Sequence, residues 1–181
     1  MKHLQTGAFL LAKDSLKGGF FEDSVIFLAN YNPSEGAYGF IINRLARIPI
    51  NEMFNSIPKE YWKPVEVFLG GPVDEQDIQI LQINKSKASE SSEITPGFFL
   101  GGDFSHIQSF VETVMDDPQS LLFMGYSGWS KYQLEKEIKE DSWEILNIES
   151  PEKVFMNSAQ EYQLTPQEFI DKFSPADQNI P

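Results

Sequence analysis

VIFLANYNPSEGAYGFII, residues 25–42, holds two apolar runs, Val25–Ala29 and Ala37–Ile42, around the turn-rich Asn32-Pro33-Ser34-Glu35-Gly36. Proline presets one backbone angle, and asparagine and glycine accept the unusual ones, so the segment reads as a β-hairpin with a longer loop. A run of five apolar residues without polar alternation is that of a buried strand.

Outward from the hairpin, the same signal recurs. Ala8–Ala12 reads as a buried strand, and Val65–Leu69 as another, ended by Gly70-Gly71-Pro72, which no strand interior tolerates. Ile78–Ile83 alternates as a half-buried strand does. Phe98–Leu100 and Trp143–Ile148 are further strands, and Leu121–Met124 is a buried one ending at Gly125. Between these lie candidate helices. Ser105 to Met115 carries Ile107, Phe110, Val111 and Val114 at helical spacing, and Asp116-Asp117-Pro118 stops it. Ser130–Glu140 is the clearest helix, with Ser130 as cap and Gln133 at the capping-box position. Ser150-Pro151 and Thr165-Pro166 each place a cap before a first-turn proline; Thr165 also has Glu168 at the box position, which predicts a helix over 166–173. Apolar runs alternating with helices predict an α/β, α+β-like domain. Residues 1–181 form one domain, with a polar, Ser-rich surface loop at 84–96 and a frayed tail at 174–181.

A chain of 181 residues is expected to bury about 70% of its extended-chain surface and needs no staple to fold. It contains no cysteine, which removes disulfides, zinc ribbons and thiol nucleophiles, and its only histidines are His3 and His106. The sequence therefore calls for no metal and no cofactor. The formal charge is −13, concentrated past residue 63, where seven Lys/Arg face twenty-one Asp/Glu; residues 1–63 carry seven and six. An acidic surface opposes direct binding to nucleic acid. Apolar runs are far shorter than the roughly 20 residues of a membrane span, and the N-terminus lacks a secretory h-region. The expected setting is the cytoplasm, without membrane contact.

Familiar catalytic motifs fail on their neighbours. Gly101-Gly102-Asp103-Phe104 has phenylalanine where a GGDEF cyclase has glutamate. Ser105 and His106 are adjacent, so on a helix they point about 100° apart. Gly125-Tyr126-Ser127-Gly128-Trp129 lacks the spacing of a nucleophile elbow. Gly70-Gly71-Pro72-Val73 is followed by Asp74, Glu75 and Asp77 where a phosphate loop offers a lysine, so it reads as a tight corner.

Gly125-Tyr126-Ser127-Gly128-Trp129, then Gln133-Leu134-Glu135, Glu137-Ile138 and Trp143, resembles the hallmark of the YqgE/AlgH family of small bacterial proteins. Three more blocks agree in order: Gly7–Ala12 with Phe21 and Ser24-Val25, Gly36–Arg44, and Gly70–Val73. The chain departs from the family pattern at Lys13-Asp14 and at Leu45, where proline is usual, and matches loosely beyond Val154. The resemblance implies a sandwich with a mixed β-sheet flanked by helices, its glycine corners gathered near one end. Some members are described as candidate regulators of transcription.

Those blocks supply the materials of a cleft. Asn43 and Arg44 at a strand end, Gly70, Gly71 and Pro72 at a corner, Tyr126, Gly128 and Trp129, and Gln133 and Glu137 four apart on one helix face form the candidate ligand site. The alternative is internal: Arg44 bonds Glu137 or another acid, and the tryptophan fills the core. The expected function is a non-catalytic module binding a small ligand or a protein partner, with any effect on transcription indirect. The competing expectation is an enzyme with Glu137 as acid or base and Arg44 as anion clamp.

Overall fold

The computed structural model describes residues 3–54, 57–84, 90–101, 117–156 and 163–174. The helix expected over 105–115, the Gly101–Phe104 motif beyond its first residue, and the tail past Ser174 lie outside them.

Among the described residues, ten strands form the framework: β1 Phe9–Ala12, β2 Val25–Asn32, β3 Gly36–Ile41, β4 Leu45–Pro49, β5 Pro64–Leu69, β6 Val73–Ile83, β7 Ser91–Thr95, β8 Phe98–Gly101, β9 Ser120–Ser130 and β10 Trp143–Leu146. The main path runs β10-β1-β2-β3-β9-β6-β8-β7, with β5 also on β9 and β4 on β5. Every ladder is antiparallel except β5–β9, a parallel contact of two residue pairs. The mixed sheet expected from the family resemblance is thus corrected to an antiparallel one with a single short parallel seam. Successive strands joined by hairpins and short loops pair antiparallel; parallel neighbours need long crossovers.

β9 joins the two halves of the sheet. Its first residues pair with β6 and β5, and its last with β3. The strand expected to stop at Gly125 continues through it, because glycine takes φ +66° there and bends the strand without breaking it. Opposite the bend, Val73 pairs with Tyr126 and Ile78 with Met124, so the acidic Asp74–Asp77 bulges out of β6. The curl also brings β7 back to the first strands: a Cβ on Gly7 would sit 3.3 Å from Oγ1 of Thr95.

Both faces of the sheet are covered, hence the unbroken apolar run of β2. Val25, Phe27 and Ala29 enter one core with Phe9, Phe40, Phe68, Phe98 and Phe123, while Ile26 and Leu28 enter another with Leu10, Trp129 and Trp143. The first core is capped by Phe155 of α3 (Glu152–Phe155) and Phe169 of α4 (Pro166–Phe173). Phe9, Phe27, Phe40, Phe98, Phe123 and Phe155 are all fully buried, each contributing about 1.5–3 kcal/mol. The second core is covered by Leu134 of α2 (Gln133–Lys139), and a third, around Ile50, Val67 and Ile80, by the segment that holds α1 (Ile50–Met53).

Two local expectations change. α2 begins at Gln133 because β9 runs on to Ser130 and Tyr132 turns left-handed at φ 64°. Within the polar stretch 84–96, Ser91–Thr95 is strand β7, since backbone pairing with β8 needs no apolar side chains and Ile94 still reaches the core. The Thr165–Glu168 capping box forms as the sequence predicts.

Candidate functional site

The residues of the anticipated cleft are distributed over three places. Asn43 and Arg44 follow β3 and hold the loop before β2. The Asn43 side chain accepts from the Val25 amide at 2.9 Å and donates to the carbonyls of Asp23 and Leu164 at 2.7 and 2.9 Å. Arg44 Nη2 donates to the carbonyls of Phe20 and Glu22 and to Ser24 Oγ, and its guanidinium lies 4.9 Å from the Phe20 ring centroid. Burial pulls the Arg44 pKa below its ordinary value, partly offset by Asp23. Both residues thus anchor the 20–24 loop to the sheet.

Gly70, Gly71 and Pro72 form the crossing of β5 into β6 over β9. The Gly70 amide donates to the Met124 carbonyl at 2.8 Å, and its carbonyl accepts from the Ile41 amide and Ser127 Oγ. A Cβ on Gly71 would stand 2.2 Å from the carbonyl carbon and oxygen of Tyr126. The corner is a place of close backbone contact, and Pro72 lies exposed beside it.

Trp129, Gln133 and Glu137 come together as a clasp. Glu137 Oε2 accepts the indole N–H groups of both Trp129 and Trp143, each at 2.8 Å, and Oε1 accepts from Gln133 Nε2 at 2.9 Å. Gln133 Oε1 in turn accepts from the amide and hydroxyl of Ser130. The tryptophans are 5% and 2% exposed, so the clasp satisfies two donors that burial would otherwise strand.

Tyr126, Gly128 and Trp129 also line an open cavity of about 400 Å³ with Asn30, Glu35, Tyr38 and Val73. Strand register builds it. Tyr38 stands opposite Gly128 on β9 and Asn30 on β2, and Val73 stands opposite Tyr126. A bulge at Ala29 brings Asn30 onto the face of Tyr38. Gly128, opposite Tyr38, supplies no side chain, and the Tyr126 ring and Val73 lie over it: a Cβ there would stand 3.2 Å from Cε2 of Tyr126 and 4.0 Å from Cγ2 of Val73. The Tyr38 and Tyr126 rings are 6.1 Å apart at 76°, forming adjoining walls, with Phe40 packed edge-on against Tyr38. Burial raises the Tyr38 pKa. The side chains of Asn30, Glu35, Tyr38 and Tyr126 make no hydrogen bond or ion pair among the described residues.

The model of the AlgH-like family matches residues 9–166. The chain belongs to this family. It is 34% identical over 164 residues to a UPF0301 protein of Chlamydia trachomatis serovar L2b, covering 87% of this chain and 86% of that one. A UPF0301 protein of Cytophaga hutchinsonii is 31% identical over 162 residues, covering 88% and 87%. Among solved structures, the AlgH protein of Pseudomonas aeruginosa superimposes with TM-score 0.69 at 21% identity, covering 94% of this chain and 89% of that chain. A Corynebacterium diphtheriae protein superimposes with TM-score 0.61 at 14% identity, covering 90% and 93%. These two likenesses establish the fold.

In this AlgH-like chain the blocks seen in the sequence are therefore joints. The Gly36–Arg44 block is β3 and the anchor after it, the glycine pair is the strand crossing, and the tryptophan-glutamate block is the clasp. Asn30, Glu35, Tyr38 and Val73 are not among the residues that the sequence marks as a site; only the folded chain, with Tyr38 paired to Gly128 and Val73 to Tyr126, brings them to one cavity. Among the described residues, no group of three or more His, Asp or Glu side chains is placed to hold a metal ion. No helix of the described residues is long and apolar enough to cross a membrane.

Proposed function

We propose that this AlgH-like protein is a non-catalytic binding module of the cytosol, and that the Tyr38–Tyr126 cavity receives its small ligand or a side chain of its protein partner. One contrast carries the reading. The polar atoms of Asn43, Gln133 and Glu137, and Nη2 of Arg44, are engaged in internal hydrogen bonds, whereas the side chains of Asn30, Glu35, Tyr38 and Tyr126, which line the cavity, make none among the described residues. Pockets of about 300–1,000 Å³ with aromatic walls and a few polar groups are the usual form of a small-molecule site. A carboxylate already accepting three hydrogen bonds is poorly placed to move protons on a substrate, which favours binding over acid-base chemistry at Glu137. The net charge of −13 favours an indirect route for any influence on transcription.

The test is a fragment screen by two-dimensional NMR on the isotopically labelled protein. Shifts concentrated on residues 35–38, 73 and 126–129 are expected. Hits scattered away from this region, or enzyme-like turnover of esters or phosphates abolished by Glu137→Gln, would overturn the reading.

A further inference from the structure

Resting on that binding role, we infer that the cavity between Tyr38 and Tyr126 takes an organic cation, a guanidinium or alkylammonium group, seated against the two rings and paired with Glu35.

Three features of the wall select this class. Tyr38 and Tyr126 present aromatic rings at 76° to each other, and a cation near a ring face is attracted by the ring quadrupole. Glu35 at the rim has no ion-pair partner among the described residues and is exposed, so its charge is available. The Val73 wall leads directly into exposed Asp74, Glu75 and Asp77, with the Glu75 backbone packed close to Gly125 beside Tyr126. This local field attracts cations and repels anions. An uncharged apolar ligand would cover Glu35, Asn30 and two hydroxyls without satisfying them, at a desolvation cost. A guanidinium brings donors that the Glu35 carboxylate and the Asn30 carbonyl accept. The protein's own nearby cation does not fill the place: Lys131 Nζ lies 4.8 Å from the centroid of the Tyr132 ring.

The probes are Nα-acetyl-arginine amide and tetramethylammonium, with Nα-acetyl-citrulline amide as the neutral isostere, titrated to millimolar concentration into protein carrying ring-labelled tyrosine. Saturable shifts of Tyr38 and Tyr126 with both cations are expected, with citrulline binding at least about tenfold weaker. Tyr126→Ala weakens binding about tenfold, Tyr126→Phe retains it, and Glu35→Gln weakens the arginine probe about fivefold. Near-ultraviolet circular dichroism, to which the buried Trp129 and Trp143 contribute, verifies that each variant is folded. An arginine-containing tetrapeptide binding about tenfold tighter than the single residue assigns the cation to a partner's side chain; equal binding assigns it to a small molecule. Equal binding of citrulline, or neutral fragments occupying the cavity where cations do not, overturns the cation inference and leaves the binding role standing. Silence of both tyrosines toward every cation and every fragment overturns both.

Discussion

The indole N–H of Trp129 donates to Oε2 of Glu137 at 2.8 Å, and Trp143 donates to the same oxygen from the other side of the clasp. The two tryptophan rings lie 5.9 Å apart at 82° in the core under α2. One carboxylate therefore ties the end of β9 and the start of β10 to the helix between them. Glu137→Ala strands two buried donors and is expected to cost about 3 kcal/mol, whereas Glu137→Gln keeps an oxygen for the indoles and sets an amide against Gln133, costing about 1 kcal/mol. Urea unfolding followed by tryptophan fluorescence measures both. A Glu137→Ala protein as stable as wild type would refute the clasp.

The same residues show how far sequence reasoning reaches. Val25–Ala29 announced its strand because both faces of β2 are covered, which leaves no polar residue to interrupt the pattern. β4, LARIP, carries a charge and ends in proline, and β7 is Ser-rich, so neither has an apolar signature; both are strands because a neighbour offers backbone partners. Arg44 and Glu137 stood out by residue type, yet their partners lie about 20 residues away in the first case and on two flanking strands in the second. Periodicity carries no information about which carbonyl a guanidinium will find. The cavity was least legible of all, because its walls come from strands whose register only the fold fixes.

Gly71 adds a steric demand to the positive backbone angle that it shares with Gly18. A methyl on Gly71 meets the Tyr126 backbone at 2.2 Å, with no flexible side chain to move aside. Gly18, at φ +76°, has nothing within 4 Å of its Cβ position. Gly18→Ala should cost about 1 kcal/mol from its backbone angle alone, and Gly71→Ala about 3 kcal/mol or more. In thermal melts the two fall to about 3 °C and about 10 °C below wild type. Similar melting points for the two variants would show that the crossing at Gly71 is looser than described.

Alkaline stability should register Tyr31. Its hydroxyl donates to Glu135 Oε1 at 2.8 Å, and burial, reinforced by that hydrogen bond, raises its pKa from 10.0 to about 12. The folded state favours the neutral phenol, so this stabilisation is fully present below pH 10.0 and is lost as pH rises toward about 12. Tyr31→Phe removes the hydroxyl and with it this part of the alkaline loss. Urea midpoints taken across that window should fall more shallowly in the variant; parallel curves would exclude the coupling.

Gly128→Ala tests whether the cavity can be altered while the fold is kept. The glycine's backbone is not in the left-handed region, and an added Cβ meets Cε2 of Tyr126 at 3.2 Å, a contact relieved by a ring shift of a few tenths of an ångström. The stability change should stay within about 1 kcal/mol. The ring signals of Tyr126 and Tyr38 should move while those of Trp129 and Trp143 hold. Gly128→Val extends the same argument, since its branches press further on the Tyr126 ring and Val73, two walls of the roughly 400 Å³ cavity. If Gly128→Ala unfolds the protein as readily as Gly71→Ala, the glycine serves the curl of β9. A folded protein with displaced tyrosines shows instead that the space it leaves is dispensable to the fold, the condition a binding site has to meet.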